Sequence, residues 1–265
     1  MAQPVRAISD ERAHGRLKGD APPVFPYPWM LLMKIENATV LVTGANRGLG
    51  LAFTRELLAR GARKVYAGAR DPATVTQSGV HPLRLDITNP DDVAAAAELA
   101  SDVTIVINNA GVAQVGGFLA PDSEDVTRRI FETNFYAMLR MSKAFAPILK
   151  ANGGGAFLNV LSVVSWISGA MAAYSASKSA AWSLTNALRI ELAAQKTQVL
   201  ALHMGFVDTD LARGFDAPKT SAEEIVKRAL DGLESGLDEV LADERTLQVK
   251  QGLTAVRPSY LPQTS

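Results

Sequence analysis

Tyr174 and Lys178 stand four residues apart in the stretch YSASKSAAWSLTNALRIEL, whose Ala, Leu and Trp182 positions favour a helix. Residues at i and i+4 share one helix face, so a phenol and an ammonium are held side by side. The chemistry this suits is proton transfer. A tyrosine with its ordinary pKa of about 10 is a poor base near neutrality unless positive charge stabilises the phenolate, and Lys178 supplies that charge. On an arbitrary helix such a pair is usually surface or packing. Its meaning depends on what the rest of the chain brings to it.

A second constellation is the loop TGANRGLG, which directly follows the β-branched run Thr39 to Val42. Gly44, Gly48 and Gly50 then sit on the turn and first coil of a helix. Glycines there let the backbone approach a pyrophosphate, while free amides and the helix macrodipole favour its charge. Gly44, Asn46, Arg47, Gly48, Leu49 and Gly50 are the candidate contacts. A plain glycine-rich strand-to-helix turn would look alike, so the surrounding elements decide.

Those elements alternate. Short runs, ATVLVTG, KVYAGA, HPLRLD, TIVINNAG, GAFLNVLS, TQVLALHMG and DEVLAD, are separated by longer segments of helical spacing. Leu49, Phe53, Leu57 and Leu58 fall on one helical face, and Ile130, Asn134 and Met138 on another. The rhythm predicts an α/β chain: a single Rossmann-type, doubly wound parallel sheet with helices on both faces. Ser162 then lies at the carboxyl edge of the sheet, where such folds place their ligands.

Three motifs in this order, TGxxxGxG, NNAG at Asn108–Gly111 and YxxxK at Tyr174–Lys178, resemble those of the short-chain dehydrogenase/reductase family, over about Ile35 to Thr209. The resemblance implies hydride transfer between NADP(H) and a carbonyl or alcohol, with Tyr174 as acid and base and Lys178 also bonding the nicotinamide ribose. It makes Asn134, in TNFYA, a fourth catalytic residue that kinks a helix and holds a water between the lysine and solvent. It asks for a serine that binds the developing oxyanion. The family's serine usually stands thirteen residues before the tyrosine; Ser162 is twelve before it and Ser165 nine, so both remain candidates. The strand-end context NVLS favours Ser162.

The same resemblance assigns Asp86 and Ile87 to the adenine, Asn108 to the turn beneath the cofactor, and Ala110 and Gly111 to the narrow floor. Val207 and Thr209 contact the nicotinamide, although Met204 stands where a proline is usual. Where NAD-binding relatives carry an acid after the second strand, this chain has Arg70, which suits a 2′-phosphate, with Arg47 as a second positive charge. Asp71 argues weakly the other way.

Trp166, Ile167, Met171, Phe206, Leu211 and Phe215 are candidate walls of a small apolar pocket, within a substrate loop at about 205–220. Arg213 is expected to face solvent. Helices near Ser123–Lys150 and Tyr174–Ala194 imply a homodimer or homotetramer, by resemblance alone.

The 265 residues suffice for one domain at 33–265, preceded by a poorly ordered extension at 1–32. Lys and Arg number 27, as do Asp and Glu, so no field of one sign attracts nucleic acid. With no cysteine and three histidines, disulfide, thiolate and metal chemistry are not expected. No apolar run reaches the roughly 18 residues of a membrane span, so a cytoplasmic protein is expected. A rival reading is an NADP(H)-binding redox sensor without turnover, though such relatives usually lose the Tyr or Lys. An epimerase or dehydratase would usually need a larger C-terminal domain.

Overall fold

The computed structural model describes residues 33–212 and 214–261; the expected extension at 1–32 lies outside them. Seven strands, β1 (Thr39–Thr43), β2 (Lys64–Ala69), β3 (His81–Arg84), β4 (Ile105–Asn108), β5 (Gly155–Val160), β6 (Thr197–His203) and β7 (Glu239–Leu241), form one sheet. All pairings are parallel, in the order β3-β2-β1-β4-β5-β6-β7. This is the Rossmann-type fold the residue rhythm predicts.

Strand alternation divides the core. Val40 and Val42 of β1 pack on one side with Phe53 and Leu57 of α1 (Gly48–Ala59) and Ile225 and Leu230 of α6 (Ala222–Glu234). Leu41, between them, faces the other side and joins Val93 of α2 (Pro90–Leu99), Phe145 of α4 (Ala137–Ala151) and Leu188 of α5 (Ala172–Glu191). Period two along the strand thus feeds two apolar layers. The helix expected over Ser123–Lys150 is not continuous. It begins as α3 (Ser123–Phe131) and passes through a π-helical stretch, Glu132–Tyr136, before α4. A short last helix, α7 (Glu244–Gly252), follows β7.

The strand order reverses between β1 and β4, so the chain leaves these neighbours toward opposite sides and a crevice opens beyond their carboxyl ends. One buried hydroxyl closes its base. Thr43 Oγ1 accepts the amides of Asn109 and Ala110, each at 3.0 Å, and donates to the Ile107 carbonyl at 3.3 Å. Asn109 Nδ2 in turn donates to the Thr43 carbonyl at 2.8 Å.

Gly44 has φ +64° and Gly48 φ +51°, which lets the chain turn sharply from β1 into α1. At Gly50 space is the constraint, since an added Cβ would collide with the Gly44 carbonyl. Gly50→Ala is therefore expected to cost about 1–3 kcal/mol by forced backbone movement. Gly169→Ala, where nothing lies within 4 Å of an added Cβ, should be close to neutral. Urea denaturation of the two variants checks the contrast.

Candidate active site

Helix α1 opens at the crevice with its N-terminus undressed: Arg47 at the cap makes no side-chain capping bond, and the first turn carries no acid. Its first amides have no intrahelical partner, so the end is a ready cradle for a diphosphate. This donor set fits the group that the glycine loop implies. Leu49 packs into the core and can offer only its backbone to a ligand. Asn46 Nδ2 donates to Thr74 Oγ1 at 3.0 Å. Arg47 reaches across to Asp210 at 3.1 Å, and Thr209 Cγ2 lies 3.4 Å from where a Gly48 Cβ would be. The loop after β6 thus rests against the glycine loop.

After β2, Arg70 is exposed, whereas Asp71 caps the 3-10 turn Pro72–Thr74 by accepting the Ala73 amide at 3.0 Å. Asp86 accepts from both the amide and the hydroxyl of Thr88 at 3.0 and 2.7 Å. Burial pushes its carboxyl up, but the Thr88 bonds and the nearby Arg70 and Arg84 charges outweigh this and hold it below the usual range. Ile87 is buried, and its carbonyl accepts from Arg140 at 2.9 Å.

Tyr174 and Lys178 lie on the first two turns of α5, with the Lys178 ammonium 5.8 Å from the phenol ring centre. Lys178 is only 4% exposed and donates to the Val160 carbonyl at 2.7 Å. Burial pulls its amine down to about 8. Burial pushes the Tyr174 phenol up to about 12, against a hydrogen bond shared with the Ser162 hydroxyl. Ser162 caps a short 3-10 turn, Val163–Ser165, accepting the Val164 amide at 3.3 Å. Ser165, the rival serine, is buried inside that turn. The geometry therefore joins Ser162 to Tyr174.

Asn134 sits in the π-helical stretch, where its side chain clasps the loop after β4: Oδ1 accepts the Val112 amide, and Nδ2 donates to the Val112 carbonyl and Ser177 Oγ, all at 2.9 Å. Both of its side-chain donors are spent on protein. Gly111 completes this corner. A Cβ there would stand 3.2 Å from Asn134 Oδ1 and 3.7 Å from Lys178 Nζ.

Against this geometry, the model of the short chain dehydrogenase family matches residues 38–220, well over half of the chain. The chain belongs to the short-chain dehydrogenase family. Over 200 residues it is 30% identical to the 3-oxoacyl-(acyl-carrier-protein) reductase of Vibrio cholerae, covering 72% of this chain and 82% of that one. It is 36% identical over 183 residues to the NADPH-dependent 1-acyldihydroxyacetone phosphate reductase of Schizosaccharomyces pombe, covering 65% and 60%. A solved short chain dehydrogenase from Burkholderia cenocepacia, in complex with NADP, shares 42% identity with a TM-score of 0.82, covering 85% of this chain and 96% of that one.

In this short-chain dehydrogenase two sequence expectations need correction. The turn under the crevice is tied by Asn109, whereas Asn108 faces α5 and donates to Asn159, its neighbour on β5, at 2.8 Å. The two asparagines are adjacent, and strand alternation sends them to opposite sides. Trp166 is not a pocket wall: its ring is buried, stacked on His203 at 4.1 Å with Lys250 4.5 Å away. Ile167 packs beside it. Phe206 and Phe215 do stack on each other in the loop after β6, at 5.0 Å. Val207 there is buried and bridges to Thr220, and Thr209 donates to the Val207 carbonyl at 3.4 Å. The Leu211 side chain and Arg213 lie outside the described structure. The Met204 substitution leaves the turn anchored, since its carbonyl accepts the Val163 amide at 2.8 Å and the next amide, Gly205, is taken by Asp243 at the cap of α7.

Sequence reading passed over Thr43, Ser177 and Asp243, whose partners lie far away along the chain. For Thr43 the cost of removal is calculable. Thr43→Val strands two partly buried amides, so it should destabilise by about 1–3 kcal/mol and loosen the turn beneath the crevice. A fall in melting temperature together with at least fivefold weaker dinucleotide binding by fluorescence titration is the expected pair of results.

Proposed function

We propose that this short-chain dehydrogenase reduces a small, apolar carbonyl compound with NADPH, Tyr174 delivering the proton. The observation that carries the reading is the set of buried Ser162 and Lys178 around half-buried Tyr174 at the carboxyl edge of the sheet. Bound along the glycine loop, the nicotinamide dinucleotide supplies a hydride to the carbonyl carbon or, in reverse, takes one from an alcohol. Gly44, Asn46, Gly48, Leu49 and Gly50 hold its diphosphate, with Asp86 and Ile87 at the adenine, Ala110 and Gly111 beneath, and Val207 and Thr209 at the nicotinamide end.

The protein side of the reaction follows from the burial of these groups. As negative charge grows on the substrate oxygen, the Ser162 and Tyr174 hydroxyls donate to it, and the Tyr174 proton crosses to make the alcohol. A phenol raised to about 12 stays protonated through the neutral range and is ready to give. The phenolate left behind is stabilised by the Lys178 ammonium, which is charged below about 8. Asn134 keeps the Gly111–Val112 backbone clear of the ammonium, and we place a water-borne proton path to Lys178 at this corner. Phe206 and Phe215 wall the substrate side.

Two consequences can be measured. Tyr174→Phe should bind NADPH within about threefold of the parent yet lose at least 1,000-fold in kcat, because only the proton donor is removed. The parent's kcat for reduction should be flat below the Lys178 value and fall above about 8, as rising pH discharges the amine. Turnover of aldehydes and ketones followed by NADPH absorbance reads both. A pH profile that rises through this range would be inconsistent with a charged Lys178.

The preference for NADPH rests on Arg70, exposed where the adenine ribose would end, and on the engagement of Asp71 as a cap. The names of the fission-yeast reductase and of the Burkholderia complex point the same way. Arg47 is the second positive charge, held by Asp210 only in an exposed, screened contact that a phosphate can displace. Arg70→Ala should lower the ratio of kcat/KM for NADPH over NADH by about tenfold or more, the worth of a charge-assisted phosphate contact. An unchanged ratio would remove Arg70 from the site.

A further inference from the structure

His203, the last residue of β6, is fully buried, and no step above uses it. Its Nδ1 lies 3.1 Å from the main-chain oxygen of Ser162. A carbonyl can only accept, so the proton sits on Nδ1 and the ring donates to Ser162. The ring is fixed on its other sides. It stacks on Trp166 at 4.1 Å and 24°, and Nε2 faces Glu239 Oε1 on β7 at 3.6 Å, too long for a hydrogen bond and an ion pair only when the ring is protonated on both nitrogens.

Glu239 is itself tethered. Its Oε1 accepts from Trp182 Nε1 of α5 at 3.3 Å, and its Oε2 pairs with Lys250 of α7 at 2.9 Å. When Nε2 also carries a proton, the His203 ring draws the Glu239 carboxyl down, burial opposes, and Lys250 helps to bring it to about 2. Lys250 also lies 4.5 and 5.6 Å from the Trp166 and Trp182 ring centres. Among the described residues, Glu239 from β7 faces the ring, and Lys250 from α7 pairs with Glu239. Together with Trp182 of α5, they leave the imidazole one orientation.

We propose that His203 is a positioning residue for the reaction: it grips the Ser162 main chain so that the Ser162 hydroxyl meets Tyr174. The neighbouring amides of Leu161 and Val163 bond at 2.8 Å to the carbonyls of Leu202 in β6 and of Met204 just past it, so the segment is held in register, and the imidazole fixes the peptide between them. The serine hydroxyl is otherwise free to turn toward the Met204 carbonyl, 3.4 Å away. The inference rests on the reductase reading for its kinetic test, and on geometry alone for its structural one.

Two amide substitutions separate positioning from packing. His203→Asn sets an N–H where Nδ1 stands; His203→Gln sets one where Nε2 stands and leaves the Ser162 carbonyl unmet. With a carbonyl substrate and NADPH, His203→Asn should keep kcat within about threefold and His203→Gln should lose about tenfold, the worth of one hydrogen bond, with KM for NADPH unchanged in both. Crystal structures of the two proteins should show the Ser162–Tyr174 hydrogen bond kept in the first and broken in the second. Equal kinetics and an intact bond in both would overturn the proposal. If neither variant nor parent turns over any carbonyl, the reductase reading fails, while the crystallographic comparison still decides the role of His203.

Discussion

An ammonium kept from water beside a phenol is the constraint around which this site is built. Removing a charge from water is costly unless polar groups compensate, and Lys178 shows the cost as an amine pulled down to about 8. The compensation is local: a carbonyl of β5 accepts from it at 2.7 Å, Gly111 leaves room beside it, and Asn134 braces the adjoining loop. Its position on α5, four residues past Tyr174, lets one rigid helix carry both groups. A lysine poised this way keeps its charge near neutrality with little in reserve, which links the proposed proton transfer to pH.

Much of this was legible in the residues. Short β-branched runs marked the strands, the glycine loop marked the opening of α1, and Tyr174 and Lys178 share a face by helix geometry alone. The Ser162 register followed from its place at a strand end. Other parts were hidden because their partners are remote in sequence. Thr43 meets Asn109 across 66 residues, and Asn134 meets Ser177 across 43. The choice between Asn108 and Asn109 turns on a one-residue alternation that composition cannot express. Trp166 looked like an apolar wall because nothing in its own neighbourhood announced His203 or Lys250. The kink that the resemblance implies at Asn134 takes the form of the π-helical stretch Glu132–Tyr136.

The charged residues near the crevice divide by what they already hold. Asp71 is committed to a turn and Asp86 to Thr88, whereas Arg70 is exposed at the end of β2 and Arg47 meets Asp210 only in an exposed pair. The Arg47–Asp210 contact also ties the glycine loop to the loop after β6, so both walls of the crevice are set by one exposed ion pair together with the Gly48–Thr209 approach. Exposed pairs contribute about 0–1 kcal/mol, which makes this seam easy to open for a ligand carrying phosphate. Beneath it, the partly buried Thr43 and Asn109 bonds hold the floor. A soft rim over a rigid floor suits a site that must admit a large dinucleotide and still fix one reacting atom against Tyr174.

The central claim is tested most directly by a crystal structure of the protein with NADPH. The account predicts the diphosphate on the amides at the start of α1, the 2′-phosphate beside Arg70, and the nicotinamide ring next to the Tyr174 hydroxyl with Lys178 on its ribose. A dinucleotide seated elsewhere, or one whose nicotinamide ring lies out of reach of Tyr174, would contradict it.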